Sequence, residues 1–398
     1  MKRIHYIDLA KGIGIILVIL GHISYIGDST RIFVVSFHMP LFFLLTGFTL
    51  DLTKLKDTGV WTYCRRLLER MLVPYIWMQF LSFIPRFIQK RVIGHSETPV
   101  EIYLQGILLG HSHLKEAPSN PLYFLLLLFL AQLLLFLLVK LTRGKRYLIV
   151  FFAAMLLPVS LFTQGKDMIW HCNVVPAVLC FILVGNMLRS VYERWGSRIL
   201  EGRLWKTFVL CALLYGIGFV IWRLNGRTSF HGNQYGHHFA LCVLTAVSTS
   251  MAFALITIRL PRIGFLELTG RNTLFLMGLH RPLLLCMEAL FPKQKRAVWF
   301  IVLAIVLCYL LLIPAIRIAQ KYAPFILGRA HSGNILYQRI GLFISMVGAT
   351  CVPYGYFLKH YDYGLWCSNR IFTAVAIMLY MIACGTVCLT FSRKPPCG

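Results

Sequence analysis

An acid, an amine and a histidine share one apolar segment near the start of the chain, IDLAKGIGIILVILGHI, as Asp8, Lys11 and His22. In hydrocarbon each costs roughly 2–3 kcal/mol or more, so such groups face a protein interior or a wet cavity. There they can hold an anion, move a proton or act on a hydroxyl. Lys11 and His22 are eleven residues apart, close to three helical turns, so both point the same way. Asp8 lies one turn before Lys11, within about 60° of that face. Fourteen residues separate Asp8 from His22, about 21 Å along a helix axis, so Asp8 cannot orient His22 as an acid orients the histidine of a triad. The cation belongs to one end of the segment and the histidine to the other. The lesser alternative is that Asp8 and Lys11 are an interfacial pair that snorkels.

Other ionisable groups fall in two further apolar runs. RIFVVSFHMPLFFLLTGF places His38 at a depth comparable with His22, with Pro40 freeing a backbone carbonyl. His38 either shares a site with His22 or is polar glue between helices. GLHRPLLLCMEALF carries His280, Arg281 and Glu288, with Arg281 and Glu288 on nearly one face. Depth orders these groups as Lys11 on one side, His280 in the middle, and His22, His38 and Glu288 on the other, which would mark a polar path if the helices adjoin. After the second run comes WTYCRRLLERMLVPY. Its arginines, Arg65, Arg66 and Arg70, suit phosphate oxygens, and suit ordinary anchoring at a membrane edge equally well. His111 and His113 have a metal-ligand spacing but no third ligand, so no metal is expected.

The elements that position these groups must be membrane helices. Of 398 residues 58% are hydrophobic and 14% charged, with a mean hydropathy of +0.71. The apolar residues fall in runs of about 20, the length that crosses a bilayer. Twelve such runs occur, near 7–26, 31–50, 71–89, 121–139, 147–163, 172–189, 204–222, 238–258, 272–291, 297–317, 337–358 and 370–391. The first is a helix of the mature protein rather than a cleaved signal, because Asp8 and Lys11 interrupt it. The expected fold is an all-α polytopic membrane protein, with a core of about ten spans in residues 1–330 and two additional spans in 331–398. The net charge of +26 reflects basic loops that set topology, not a nucleic-acid surface. About twice as many Lys and Arg fall on one side as on the other, which puts the N-terminus in the cytoplasm and the chain in the cell membrane. The twelve cysteines form no CxxC pair, so neither a zinc site nor a disulfide framework is indicated. The loop from Asn225 to His238, NGRTSFHGNQYGHH, is either a carbohydrate contact or a plain solvated loop.

These residues resemble the start of a known family. The pattern D-x-x-K-G-x-x-x-x-x-V-x-x-G-H, here Asp8, Lys11, Gly12, Val18, Gly21 and His22, looks like the acyltransferase-3 membrane family. SFHMPLFFLLTGF, the basic run ending in Val73-Pro74-Tyr75, and GRNTLFLMGLHRPLL follow in the matching order, and APFILGR resembles the family's usual end. The resemblance covers about residues 5–330. It implies a membrane O-acyltransferase that moves an acetyl group from acetyl-CoA to a hydroxyl of a surface glycan or glycolipid. By that reading His22 is the catalytic histidine, and Arg66 and Arg70 depart from the family's commoner RxxR spacing by one residue.

The two readings combine into one expectation. Lys11, Asp8, Arg66 and Arg70 would form the donor end, where the cations hold acetyl-CoA. His280, Asn272 and Arg281 would line the path. His22 would act on the acceptor hydroxyl, with Glu288 or His38 setting its tautomer. The rival expectation is a transporter or flippase for an anionic or glycan-linked substrate, since intramembrane His, Lys and Glu also serve proton relays.

Overall fold

The computed structural model describes residues 5–23, 28–88, 100–110, 117–166, 168–291 and 298–328. The two spans expected beyond residue 330, and His111 and His113, lie outside the described residues. Among those described the chain is helical apart from one two-residue hairpin. The order is α1 (His5–His22), α2 (Asp28–Thr49), α3 (Leu52–Asp57), α4 (Val60–Leu67), a π-helical turn (Leu68–Leu72), α5 (Val73–Ile88) and α6 (Val100–Leu109). Then come α7 (Tyr123–Leu141), α8 (Arg146–Phe162), α9 (Val175–Glu201), α10 (Leu204–Asn225), the hairpin β1 (Thr228–Ser229) and β2 (Gln234–Tyr235), and α11 (Phe239–Arg259). The last described are α12 (Gly264–Arg271), α13 (Thr273–Leu290) and α14 (Val298–Tyr322).

Hydrocarbon offers no partner to a backbone amide, so a spanning segment must satisfy its own hydrogen bonds, as a helix does. Eight helices among the described residues are long and apolar enough to cross. Two of the ten expected spans fall short of that length. One is α8, with 17 residues. The other is α5, with 16, which runs on directly from the π-helical turn before it. Exposed runs of large apolar side chains show where lipid belongs. Leu213, Ile217, Val220 and Leu224 of α10 are each at least half exposed, as are Val302, Leu310 and Leu311 of α14. In water such a surface would drive aggregation; in a bilayer it is matched to its solvent. The chain is a multi-pass membrane protein.

Between helices, lipid supplies little hydrophobic force, and close approach at small residues provides the packing instead. Gly12 of α1 lies against the backbone carbonyl of Leu266, and Gly270 of α12 against that of Asp8. The same device joins α2 to α9, where Gly47 meets the Ile182 carbonyl and Gly185 meets that of Leu44. Through these contacts α1 packs on α2, α12 and α13, which are the helices that carry most of the ionisable residues. A Cβ at Gly270 would overlap backbone, which cannot swing aside. Gly270→Val should therefore destabilise the fold by about 1–3 kcal/mol. Gly216→Val on α10, where nothing lies within 4 Å, should leave thermal unfolding in detergent unchanged. Equal unfolding temperatures for the two variants would refute the role of this crossing.

The Asn225–His238 segment is not a plain solvated loop. Its hairpin buries Phe230 and Tyr235, and Phe230 packs its ring against Phe43 of α2 and Phe181 of α9. Asn233 donates from Nδ2 to the Thr163 carbonyl at 2.6 Å, and its own carbonyl accepts from Gly165 N–H. Asn225 donates to the Tyr235 carbonyl at 2.9 Å. The polar residues fasten the segment and the aromatic ones plug it into the bundle.

Candidate active site

The two ends of α1 open onto two cavities. Around Lys11 lies a cavity of about 850 Å³ that Asp8, Lys54, Arg66, Arg70 and Arg271 also line, a size ordinary for a cofactor site. Local structure places each cation. Tyr63 stacks on Phe136 with ring centroids 4.1 Å apart and donates to the Gln132 carbonyl, which pins α4 to α7. Arg65 is held by Glu69 at 2.9 Å, so of the three clustered arginines it is Arg66 and Arg70 that line the cavity. The π-helical turn widens the winding between them, so a four-residue spacing still brings both to one wall. Gly328, at φ +67°, packs on the Arg70 backbone and completes the rim. Only a residue without Cβ adopts that geometry without strain.

Asp8 is paired across the α1–α12 crossing. Arg271 Nε donates to Asp8 Oδ2 at 2.9 Å, and its Nη2 to Glu267 Oε2. Asp8 and Glu267 are nearly buried and Arg271 is 35% exposed. One guanidinium thus bridges two carboxylates and keeps a face to the cavity.

At the other end of α1, His22 lines a cavity of about 280 Å³ together with His38, Arg31, Arg281, Tyr123 and the hairpin residues Arg227 to His231. Arg281 Nη1 donates to the His22 carbonyl at 2.9 Å. That carbonyl is one of those left open at a helix C-terminus, where a cation is favoured. Glu288 Oε2 lies 3.9 Å from Arg281. The ring nearest His22 is that of His280, with centroids 5.2 Å apart. His280 Nδ1 donates to the Leu276 carbonyl and His38 Nδ1 to the Val34 carbonyl. A carbonyl can only accept, so in the neutral ring each Nε2 keeps its lone pair.

Several expectations need correction. His280 is not a mid-membrane step below His22, because α13 sets the two rings side by side. Glu288 lines neither cavity, and its route to His22 runs through Arg281 to the backbone carbonyl. Asn272 lines neither cavity. It sits between α12 and α13, donating to the Leu268 carbonyl of α12 and accepting from Gln320 of α14. The two cavities share no lining residue. Ile15, Val18 and Ile19, between Lys11 and His22 along α1, are fully buried, and Phe42 and Phe124, which line the Lys11 cavity, meet edge to face at 5.8 Å. Among the described residues no group of three or more metal-ligating side chains could hold an ion.

The acyltransferase-3 family, described as an acyltransferase domain, matches residues 4–317. The chain belongs to this family. The match takes in both ends of α1 and every lining residue of the two cavities except Leu327 and Gly328, and it ends within α14. No curated protein and no solved structure matched the chain. The protein is therefore a membrane O-acyltransferase.

Sequence reasoning about this acyltransferase missed Arg271, Arg31, Arg227 and His231. Arg271 sits inside the GRNT block and Arg31 opens the second apolar run, but membrane-edge arginines are commonplace. Only the crossing of α1 with α12 shows that Arg271 answers Asp8. Arg271→Gln should leave two nearly buried carboxylates short of a donor and cost about 1–3 kcal/mol. Adding Asp8→Asn should recover part of that loss in detergent melts. Simple additivity of the two substitutions would argue against the pairing.

Proposed function

We propose that this acyltransferase carries an acetyl group from acetyl-CoA, held at the Lys11 cavity, to a hydroxyl of a surface glycan or glycolipid presented beside His22. The observation that carries the reading is the charge and size of the Lys11 cavity. Lys11, Lys54, Arg66, Arg70 and Arg271 face Asp8 and Asp51 across about 850 Å³. An excess of guanidinium and ammonium groups around a large cavity suits a multiply phosphorylated donor. The same cations favour the cytoplasmic side, where acetyl-CoA is made and where the positive-inside bias puts the N-terminus.

His22, at the far end of α1, would then face the opposite side in the cell membrane. Its imidazole takes the hydroxyl proton as the oxygen attacks the acetyl carbonyl, the thioester C–S bond breaks and the proton passes to the departing CoA sulfur; alternatively the imidazole displaces CoA first and then passes the acetyl group to the hydroxyl oxygen. The adjoining ring of His280 is better placed than Glu288 or His38 to hold the His22 imidazole. Between the two ends lies the apolar seam of Ile15, Val18, Phe42 and Phe124. The long uncharged arm of the donor would have to part these side chains to bring its thioester to His22, while its phosphates stay with the arginines.

His22→Ala should abolish transfer of label from radiolabelled acetyl-CoA while leaving membrane insertion and melting unchanged. Undiminished transfer by that variant would sink the assignment. Arg66→Gln and Arg70→Gln should each raise the KM for acetyl-CoA about tenfold, one lost charge-assisted contact, with little change in kcat. An altered kcat at constant KM would instead place these arginines in the chemical step.

A further inference from the structure

Three guanidinium groups converge on the small cavity at His22, those of Arg31, Arg227 and Arg281, and no Asp or Glu lines it. Arg281 is already engaged by the His22 carbonyl and by Glu288. Neither Arg31 nor Arg227 is paired with a carboxylate among the described residues. They come from separate elements, Arg31 from the first turns of α2 and Arg227 from the approach to β1. Arg227 is held in place because its hairpin is fastened on both sides, by Asn225 before it and Asn233 after it. Anchoring arginines splay toward headgroups, whereas these line a concavity that ends at the histidine. Like charges gathered around one cavity repel one another, and a bound anion relieves that repulsion.

We infer that the acceptor is an anionic glycan, carrying a carboxylate or a phosphate ester that seats on Arg31 and Arg227 and so presents a neighbouring hydroxyl to His22. Guanidinium forks match either oxyanion. A volume of about 280 Å³ is at the small end for ligand pockets, which suits one charged sugar unit rather than a length of chain. The inference rests on the reading of His22 as the acyl-transfer end, and it adds the class of substrate.

Binding can be measured apart from transfer. Full-length protein in phosphatidylcholine nanodiscs, without acyl donor, is dialysed to equilibrium against hexyl glucoside, hexyl glucuronide, hexyl glucoside 6-phosphate and hexyl phosphate. The two charged sugars should bind about tenfold tighter than the neutral one, as one charge-assisted contact gives. Arg31→Gln and Arg227→Gln should each remove most of that preference, and Arg66→Gln, in the other cavity, should not. Equal binding of neutral and charged sugars would overturn the inference, as would a preference that survives both substitutions. Binding of hexyl phosphate as tight as the sugar phosphate would also overturn it, marking a headgroup-anion site. Radiolabelled acetyl-CoA added to the same samples separates the two readings. A charge preference without labelled product supports the anionic site and counts against acetyl transfer alone.

Discussion

An α-helix rises about 1.5 Å per residue, and α1 carries Asp8 and Lys11 near one end and His22 as its last residue. That rigid separation governs the rest of the molecule. Groups that look like one cluster in the sequence belong to different cavities, and α2, α11, α12, α13 and α14 pack around α1. The glycine crossing with α12 holds it at the Lys11 end. At the other end Arg281 of α13 closes its last carbonyl. A helix fixed at both ends by backbone contacts has little freedom to shift either group relative to the other.

Charge within a bilayer must be compensated, and this protein compensates it through backbone as well as side chains. Arg271 bridges Asp8 and Glu267, while Arg281 joins a helix terminus to Glu288. Both arginines come from the α12–α13 stretch, which therefore supplies the counter-charge for both ends of α1. His38 and His280 follow a third route and satisfy one ring nitrogen on their own helices. What remains turned toward the cavities is mostly cationic. Cationic groups outnumber carboxylates in the lining of both cavities.

Apolar packing sets the physical problem of the reaction. Ile15, Val18 and Ile19 are buried along α1 between Lys11 and His22, and Phe42 and Phe124 line the Lys11 cavity. On the proposed reading, a donor held at Lys11 would have to displace such contacts to reach His22. Aromatic edge-to-face contacts are worth only about 0.5–1.5 kcal/mol beyond their buried area, so a long apolar arm making its own contacts there can displace them.

Much was legible in the chain alone, because a bilayer imposes length and polarity on each segment separately. Ten of the expected spans coincide with described helices, and helix rise alone split Asp8 and Lys11 from His22. The RxxxR spacing and the order of the family-like blocks could be read in the same way. What the sequence could not decide is which helices touch. Arg271 answers Asp8 only because two glycines let α1 and α12 meet. His280 joins His22 only because α13 packs on α1, and Arg227 enters the histidine cavity only because Phe230 anchors the hairpin within the bundle. Membrane-edge arginines and a polar loop look the same in sequence whether they face lipid, water or a site. Close packing across elements distant in the chain is what tells them apart.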